Sequence, residues 1–259
     1  LHEFLPAPGD DVSDLASLMG LSVGDLATRI ETLRELNPML GHRGCRLAIT
    51  YPEIYEMQVE AIVAAACTLV RDEGFSLVPE IMIPLVSVSD ELAILERLTR
   101  ETAERVIAEY GVSMDYLVGT MIEFPRACLT ADELANHADF FSFGTNDLTQ
   151  TTFGLSRDDS SKFLPEYIER GILPHDPFGS MDKGVAELVR VACDRGRESK
   201  HDLKLGICGE HGGDPASVQI CHQIGLDYVS CSPYRVPVAR MAAAHTAIRE
   251  SAVGESSWV

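Results

Sequence analysis

Leu117-Val118-Gly119-Thr120-Met121-Ile122-Glu123 is a nearly continuous apolar run that ends in a carboxylate, and Pro125 follows two residues later. Such a run is typical of a strand that is buried on both faces, as strands are in a parallel sheet. Residues 140–148 repeat the pattern, with phenylalanines first and Gly, Thr, Asn and Asp after them. Between the two runs, residues 130–133 (Thr-Ala-Asp-Glu) have the pattern of a capping box, which predicts the start of a helix.

The same alternation extends in both directions along the chain. The predicted strands are residues 45–50, 77–86, 116–124, 140–148, 203–208 and 227–231. Pro52 suits the first turn of a helix. The apolar residues that keep helical spacing in it are Ile54, Met57, Ala61, Ala65 and Leu69. A later helix has on one face Leu92, Leu95 and Val106. Asp214 and Pro215 are predicted to open a further helix, which Gly225 ends.

Two segments depart from this alternation. In residues 6–36 we predict a short helix near residues 12–19 and a second helix after Ser22, with Leu26, Ile30 and Leu33 aligned. Residues 154–180 contain no clear strand and are rich in Asp, Pro and Gly. We predict that they form a long loop on the active face of the fold.

Parallel strands that alternate with helices fit a doubly wound sheet as well as a barrel. We favour the barrel because nearly every predicted strand ends in polar residues and glycine, and barrels build their active sites at those carboxyl ends. Eight units close a barrel, whereas six are predicted here. The sequence therefore predicts an α/β fold, a (β/α)₈ TIM-type barrel that is incomplete at its N-terminal side, as one domain over residues 1–259.

Charge and cysteine content exclude several classes of protein. The 259 residues include 21 Lys and Arg against 40 Asp and Glu, which gives a net charge of −19. Because such a surface repels nucleic acid and anionic lipid, we expect neither as a partner. No apolar run reaches the ~20 residues of a membrane helix, and the first residues have no signal-peptide pattern. Seven cysteines without a Cys-x-x-Cys pair predict free thiols in a reducing cytoplasm.

Two polar groups at strand ends are candidates for a metal and substrate site. Glu123 would bring a carboxylate to the end of a buried strand, where it needs a cation; an exposed or ion-paired glutamate is the alternative. After the next strand, Gly144 lets a ligand approach the main chain, Thr145 and Asn146 offer donors, and Asp147 offers a second hard oxygen. Two such carboxylates predict a Mg²⁺ site that also holds a phosphorylated substrate. An ordinary polar turn is the alternative.

A cysteine and an arginine flanked by glycines are further candidates. Cys208 follows a predicted strand, and its thiol would be mostly protonated at neutral pH, so it could donate a proton. The alternative is a buried structural thiol, which we expect for Cys67, Cys193 and Cys221. Arg43 precedes a predicted strand and could bind a phosphoryl or carboxylate group with both arms of its guanidinium. An exposed surface arginine is the commoner case.

Together these segments resemble the C-terminal, phosphoenolpyruvate-binding domain of the pyruvate, phosphate dikinases. The resemblance follows the family's order through residues 37–44, 50–53, 79–84, 119–123, 142–150, 156–159, 206–214 and 230–235. The phosphoenolpyruvate synthases and the phosphotransferase-system enzyme I share the metal and Gly-Thr-Asn-Asp segments. The Gly-His-Arg-Gly and Gly-Glu-His-Gly-Gly segments are more similar to the dikinases.

The resemblance implies a phosphotransferase half-site that interconverts phosphoenolpyruvate and pyruvate, within the reaction of ATP, pyruvate and phosphate to AMP, phosphoenolpyruvate and diphosphate. It implies Mg²⁺ at Glu123 and Asp147, and a proton donor to C3 of the enolate at Cys208. The substrate contacts that it implies are Arg43, Glu123, Gly144, Thr145, Asn146 and Asp147. The implied partners are the phospho-histidine domain of the same enzyme and a second copy in a homodimer, in the cytoplasm or, in a plant, the plastid.

The sequence also departs from the family pattern. We find neither the phospho-histidine domain nor the ATP-binding domain, and the arginines that the family carries on early barrel strands would lie upstream of residue 1. We therefore expect a C-terminal portion of a larger enzyme that does not run the full cycle alone. A non-catalytic fragment or assembly module of the same fold is the alternative.

Overall fold

A parallel sheet forms the centre of the fold in the computed structural model, which describes residues 4–35 and 37–255. Its strands are β1 (Glu80–Ile83), β2 (Leu117–Ile122), β3 (Phe140–Gly144), β4 (Lys204–Cys208) and β5 (Tyr228–Val229). They lie in the order β1-β2-β3-β4-β5, and all neighbours pair in parallel. Strand order that follows chain order is the arrangement of a barrel, whereas a doubly wound sheet reverses its order at a switch point. The α/β class is confirmed; closure into eight strands stays a prediction.

Helices connect the strands and pack around them. In the described residues they are α1 (Ser13–Met19), α2 (Val23–Leu33), α3 (Cys45–Thr50), α4 (Pro52–Glu73), α5 (Ser89–Tyr110), α6 (Pro125–Leu129), α7 (Ala131–Ala135), α8 (Thr145–Phe153), α9 (Arg157–Ser160), α10 (Leu164–Glu169), α11 (Lys183–Ser199), α12 (Pro215–Ile224) and α13 (Val236–Glu255). Short 3₁₀ turns cover Pro38–Leu40, Glu210–Gly213 and Pro233–Arg235. No described helix is both long enough and apolar enough to span a bilayer.

The prediction of a strand at residues 45–50 is wrong, because this segment is helix α3. Cys45 and Ala48, three residues apart, form the buried side of this short helix, and α3 packs against α4 and α5. Six residues are too few for apolar spacing to separate a helix from a strand. The sheet therefore has five strands in the described chain rather than six. The run at residues 140–148 is also divided, since β3 ends at Gly144 and Leu148 lies in α8.

Helix α4 begins at Pro52 as predicted, but a different face of it is buried. The predicted face was Ile54, Met57, Ala61, Ala65 and Leu69, whereas the buried residues are Val59, Val63, Ala66 and Cys67. The Met57 side chain is 62% exposed. The helix carries apolar residues around most of its circumference. The spacing of these residues therefore does not determine which face packs against α5.

The predicted capping box at Thr130 is also absent from the described structure. Its side chain makes no cap bond to α7 and instead donates a hydrogen bond to the Arg126 carbonyl at 3.1 Å. The reason is that α6 ends directly before Thr130, which therefore joins two helices. The other predicted helix ends are confirmed: Ser22 caps α2, Asp214 caps α12, and Gly225, at φ +85°, ends α12.

The core of the fold lies between the central strands and their covering helices. Strand β3 is buried along its whole length, and Phe141 and Phe143 are fully enclosed. The predicted buried face of α5 is confirmed, since Leu92, Leu95 and Val106 are at most 1% exposed. Residues 154–180 contain no strand, as predicted, but they include the short helices α9 and α10 rather than forming one continuous loop.

Candidate active site

The parallel register brings polar residues from three strands to one edge of the sheet. Ile122 of β2 pairs with Phe143 of β3, and Gly144 of β3 pairs with Cys208 of β4. Glu123 therefore follows β2 at the level of Gly144, and Thr145 begins helix α8 at the same edge. Neighbouring strands in a sheet lie about 4.8 Å apart, so these side chains belong to one cluster.

Glu123 is the most buried ionisable carboxylate of this cluster, with 2% of the residue exposed. Its Oε1 accepts a hydrogen bond from the Leu85 N–H at 2.6 Å. Burial raises the pKa of Glu123 to about 8; the Leu85 hydrogen bond opposes that shift, the charge of Asp147 adds to it, and Arg43 opposes it. A buried carboxylate beside a second one is therefore costly to ionise unless a cation joins them.

Gly144 gives the Glu123 carboxylate its space. A Cβ at Gly144 would lie 2.9 Å from Glu123 Oε2 and 2.5 Å from Met121 Sδ. Both distances are shorter than an ordinary van der Waals contact of about 3.5 Å. A side chain at this position would therefore displace either the Glu123 carboxylate or the Met121 side chain.

The residues after Gly144 face the same region from the start of α8. Thr145 Oγ1 donates to the Cys208 carbonyl at 3.2 Å, which ties α8 to the end of β4. Asp147 Oδ1 accepts a hydrogen bond from Gln150 Nε2 at 3.0 Å. The buried Asn146 Oδ1 has no hydrogen-bond partner among the described residues. An unpartnered buried acceptor is unfavourable, and a bound ligand, ion or water would satisfy it.

Cys208 contributes a thiol to this edge. Its Sγ donates weakly to the Phe143 carbonyl at 3.6 Å. Burial raises the pKa of the Cys208 thiol, a hydrogen bond with Ser142 opposes that shift, and the charges of Glu123 and Asp147 add to it. The thiol is therefore neutral at pH 7, the state in which it has a proton to give.

Arg43 lies on the loop between the 3₁₀ turn and α3. Its Nη1 donates to the Met39 carbonyl at 3.2 Å, and its charge lowers the pKa of Glu123. The guanidinium is thus within electrostatic reach of the carboxylate. A cavity of about 420 Å³ lies nearby; Met39 and Leu40 of the 3₁₀ turn line it together with Asp147 and Gln150 of α8. Its volume is that of a small-molecule site.

Other polar residues of the segments that resemble the family lie apart from the cluster or have structural partners. His211 is fully buried, and its Nε2 is 2.9 Å from the Pro177 carbonyl. Burial lowers the pKa of His211, so the ring is neutral. The Tyr234 side chain is 95% exposed, and Arg235 lines a separate cavity of about 570 Å³ together with Arg157. The cysteines expected to be structural, Cys67, Cys193 and Cys221, are all buried free thiols.

The oxygen donors of the cluster could hold a hard divalent cation. They are the carboxylates of Glu123 and Asp147 and the unpartnered amide oxygen of Asn146. Oxygen ligands of this kind suit Mg²⁺, which binds through one or two carboxylates and completes its shell with water and substrate. Within residues 4–35 and 37–255, no group of three or more His, Cys, Asp or Glu side chains could hold a metal ion by itself.

One contact in this site had no signal in the sequence. The Leu85 N–H binds Glu123, yet an apolar residue after Pro84 gives no indication that its backbone takes part. The structure does mark this position, because Leu85 has a φ of +62°.

With this geometry in place, comparison with known families identifies the chain. Residues 9–248 match the family described as PEP-utilising enzyme, PEP-binding domain. The chain belongs to this family. Glu123, Gly144 and Cys208 thus lie at the sheet edge of a PEP-binding domain, PEP being phosphoenolpyruvate.

Three curated relatives of this PEP-binding domain are named pyruvate, phosphate dikinase. The chain is 56% identical over 98% of its length to a pyruvate, phosphate dikinase of Rhizobium meliloti (strain 1021), of which it covers 28%. It is 54% identical over 96% of its length to the enzyme of that name from Clostridium symbiosum, again covering 28%. It is 55% identical over 96% of its length to the chloroplastic pyruvate, phosphate dikinase 1 of Arabidopsis thaliana, covering 26%. The chain therefore spans about a quarter of the length of these relatives.

Among solved structures, a citrate lyase from Burkholderia xenovorans LB400 matches with a TM-score of 0.48 and 14% identity, over 73% of this chain and 53% of that one.

Proposed function

We propose that this chain forms the half-site of a pyruvate, phosphate dikinase that interconverts phosphoenolpyruvate and pyruvate. The observation that carries the proposal is the meeting of Glu123, Asp147 and a neutral Cys208 thiol at the carboxyl edge of one parallel sheet. Membership of the PEP-binding family and the common name of the relatives support the substrate. The ATP- and phosphate-dependent steps belong, in this proposal, to other parts of a longer enzyme.

Glu123 and Asp147 are the proposed ligands of Mg²⁺. Burial of Glu123 and the nearby negative charge of Asp147 both disfavour the ionised form of Glu123. A bound divalent cation would offset this unfavourable free energy. When bound, Mg²⁺ supplies positive charge that stabilises an enolate oxygen and a phosphoryl group. Arg43 is the proposed second cation for the phosphoryl or carboxylate oxygens, since a guanidinium binds such groups with two parallel hydrogen bonds.

The residues around the carboxylates are proposed to hold the three-carbon acid. Gly144 leaves room beside Glu123, and Thr145 and Asn146 place polar side chains at the start of α8. The unpartnered Asn146 Oδ1 supports a ligand in its vicinity. Holding the acid between these groups and Cys208 would keep C3 close to the thiol, which is the condition for efficient proton transfer.

Cys208 is the proposed acid and base at C3. When the phosphoryl group leaves phosphoenolpyruvate for a histidine of a partner domain, the enolate of pyruvate remains. The S–H bond of Cys208 then breaks, the proton forms the third C–H bond of the methyl group, and a thiolate is left. In the reverse direction, the thiolate removes a methyl proton from pyruvate. A raised pKa supports this role because the thiol begins the forward reaction protonated.

The remaining proposals concern the protein's surroundings. We infer that a phospho-histidine domain reaches this sheet edge, that two copies form a homodimer, and that the protein works in the cytoplasm or, in a plant, the plastid. A relative named chloroplastic supports the plastid.

Exchange of the pyruvate methyl protons with deuterated water, in the presence of Mg²⁺, tests the half-site directly by NMR. The chain is expected to catalyse exchange, and Cys208→Ala is expected to lose it by at least about 100-fold, the usual contribution of a positioned acid or base. Cys231→Ala is the matched control, because Cys231 is a free thiol of similar partial exposure. Equal exchange in Cys208→Ala would remove the thiol from the reaction. No exchange by the unaltered chain would instead favour a non-catalytic module.

A further inference from the structure

We propose that Cys45 and Leu85 are positioning residues for the Glu123 carboxylate: Cys45 holds a left-handed backbone at Leu85, and that backbone presents the N–H that orients Glu123. This inference rests on the proposed function, in which Glu123 is a metal ligand. Neither residue needs to touch metal or substrate, since both act through Glu123.

The backbone of Leu85 is unusual in this molecule. Its φ is +62°, and it is the only non-glycine residue with a positive φ in residues 4–35 and 37–255. Side chains with a Cβ disfavour this conformation, and a bulky leucine is a marked exception. Such a conformation persists only where surrounding contacts enforce it, and it is concentrated at functional sites.

The left-handed turn serves one buried hydrogen bond. The Leu85 N–H donates to Glu123 Oε1 at 2.6 Å, a short distance for an N–H donor to a carboxylate. The other oxygen, Oε2, is the one that lies beside Gly144. The hydrogen bond therefore fixes which oxygen of Glu123 faces α8 and the remaining ligands of the site.

Cys45 binds the peptide groups on both sides of Leu85. Its N–H donates to the Pro84 carbonyl at 3.1 Å, and its thiol donates to the Leu85 carbonyl at 3.1 Å. These two carbonyls belong to the peptide planes before and after the Leu85 Cα, so the pair of bonds restrains both its φ and its ψ. Cys45 and Leu85 are at most 1% exposed, which removes competition from water.

The residue before Cys45 completes the contact. Gly44 also has a positive φ, and a Cβ there would lie 2.9 Å from Leu85 Cδ1. The backbone of the loop thus packs directly on the Leu85 side chain. Arg43 lies on the same loop. The packing of this loop on Leu85 therefore also positions the Arg43 guanidinium relative to the Glu123 carboxylate.

Titration with Mn²⁺, followed by electron paramagnetic resonance, tests the proposal on the 259-residue chain. Cys45→Ala removes the thiol donor and is expected to weaken Mn²⁺ binding by about 10-fold, the effect of losing a residue that orients a metal ligand. Cys45→Ser keeps a donor and is expected to stay within about 3-fold of the unaltered chain. Cys67→Ala is the matched control, a buried thiol in the separate cluster between α4 and α5.

A second measurement does not depend on metal. In a chain labelled with ¹⁵N-leucine, the Leu85 amide is expected to exchange faster with solvent in Cys45→Ala than in Cys45→Ser, and its proton to lose the downfield shift of a short hydrogen bond. If Cys45→Ala keeps both the Leu85 amide signal and the Mn²⁺ affinity, Cys45 only fills the core and the proposal is wrong.

Two further outcomes are also decisive. If Cys45→Ala does not fold, Leu85→Gly and Leu85→Ala replace it, because both lose the isopropyl group of leucine while only glycine adopts the left-handed backbone freely. Weaker Mn²⁺ binding in Leu85→Ala than in Leu85→Gly supports the proposal, and equal binding overturns it. If the unaltered chain binds no Mn²⁺, the metal site of the proposed function fails, whereas the Leu85 amide still shows whether Cys45 positions it.

Discussion

Replacement of Glu123 by glutamine is expected to stabilise the metal-free chain, and to do so increasingly as the pH rises. Glutamine keeps an oxygen that can accept the Leu85 hydrogen bond, and it removes a negative charge beside Asp147. The substitution therefore separates the electrostatic cost of the carboxylate from its hydrogen bonding. It also removes the ability to bind a cation, so stability and the proposed function should change in opposite directions.

The sign and size follow from the raised pKa. Burial raises the pKa of Glu123 to about 8, whereas an unfolded glutamate ionises near about 4.3. Between these values the folded chain keeps a proton that the unfolded chain releases. The stability linked to this group is therefore complete below the unfolded pKa and is lost as the pH rises through the folded pKa. The expected slope is about −1.4 kcal/mol per pH unit, or about 3 kcal/mol over two units.

Urea unfolding followed by circular dichroism measures this slope. In EDTA, at about pH 5.5, 6.5 and 7.5, the free-energy gap between Glu123→Gln and the unaltered chain should widen by about 1.4 kcal/mol per unit. Glu101→Gln, on the exposed side of α5, controls for loss of a surface charge. Saturating Mn²⁺ should restore stability to the unaltered chain alone, by about 2.7 kcal/mol at one hundred times the dissociation constant. A gap that does not change with pH would refute the reasoning.

Three more outcomes are expected from Mn²⁺ titration. Asp147→Ala should abolish divalent-cation binding, and unchanged affinity would remove Asp147 from the metal site. Gly144→Ala should weaken binding by at least about 10-fold while circular dichroism stays unchanged, because its Cβ would stand 2.9 Å from Glu123 Oε2; full affinity would mean that the Met121 side chain yields instead. In the unaltered chain, affinity should rise from about pH 6 to about pH 8 as Glu123 loses its competing proton, and a flat profile would contradict the raised pKa of Glu123.

The spatial meeting of the candidate residues could be predicted from the sequence. Buried runs that end in Glu123, in Gly144 and in Cys208 indicate parallel strands, and parallel strands place their carboxyl ends on one edge. The observed register, with Gly144 opposite Cys208, is the consequence of that rule. Which residues bind metal or move a proton is a chemical hypothesis that this placement supports and that the experiments above decide.

The wrong strand prediction at residues 45–50 and the wrong buried face in α4 have a common cause. The spacing of apolar residues does not determine which other elements they pack against. The short helix α3 buries Cys45 and Ala48 because α4 and α5 pack against it. In α4, Val59 and Val63 are buried while Met57 is exposed, although all three are apolar. In both places, tertiary contacts with distant parts of the chain determine the outcome: the helical conformation of residues 45–50 and the buried face of α4.

The strained backbone at Leu85 and the buried carboxylate of Glu123 are linked by one hydrogen bond. A leucine at φ +62° costs on the order of 1–3 kcal/mol, and a buried ionised glutamate is costly as well. The N–H that the left-handed backbone presents is the strongest of the influences that lower the raised pKa of Glu123. The strain at Leu85 therefore makes the ionised carboxylate more accessible near neutral pH. The sequence pattern does not predict this hydrogen bond, because it joins the backbone of an apolar residue to a side chain that lies 38 positions later in the sequence.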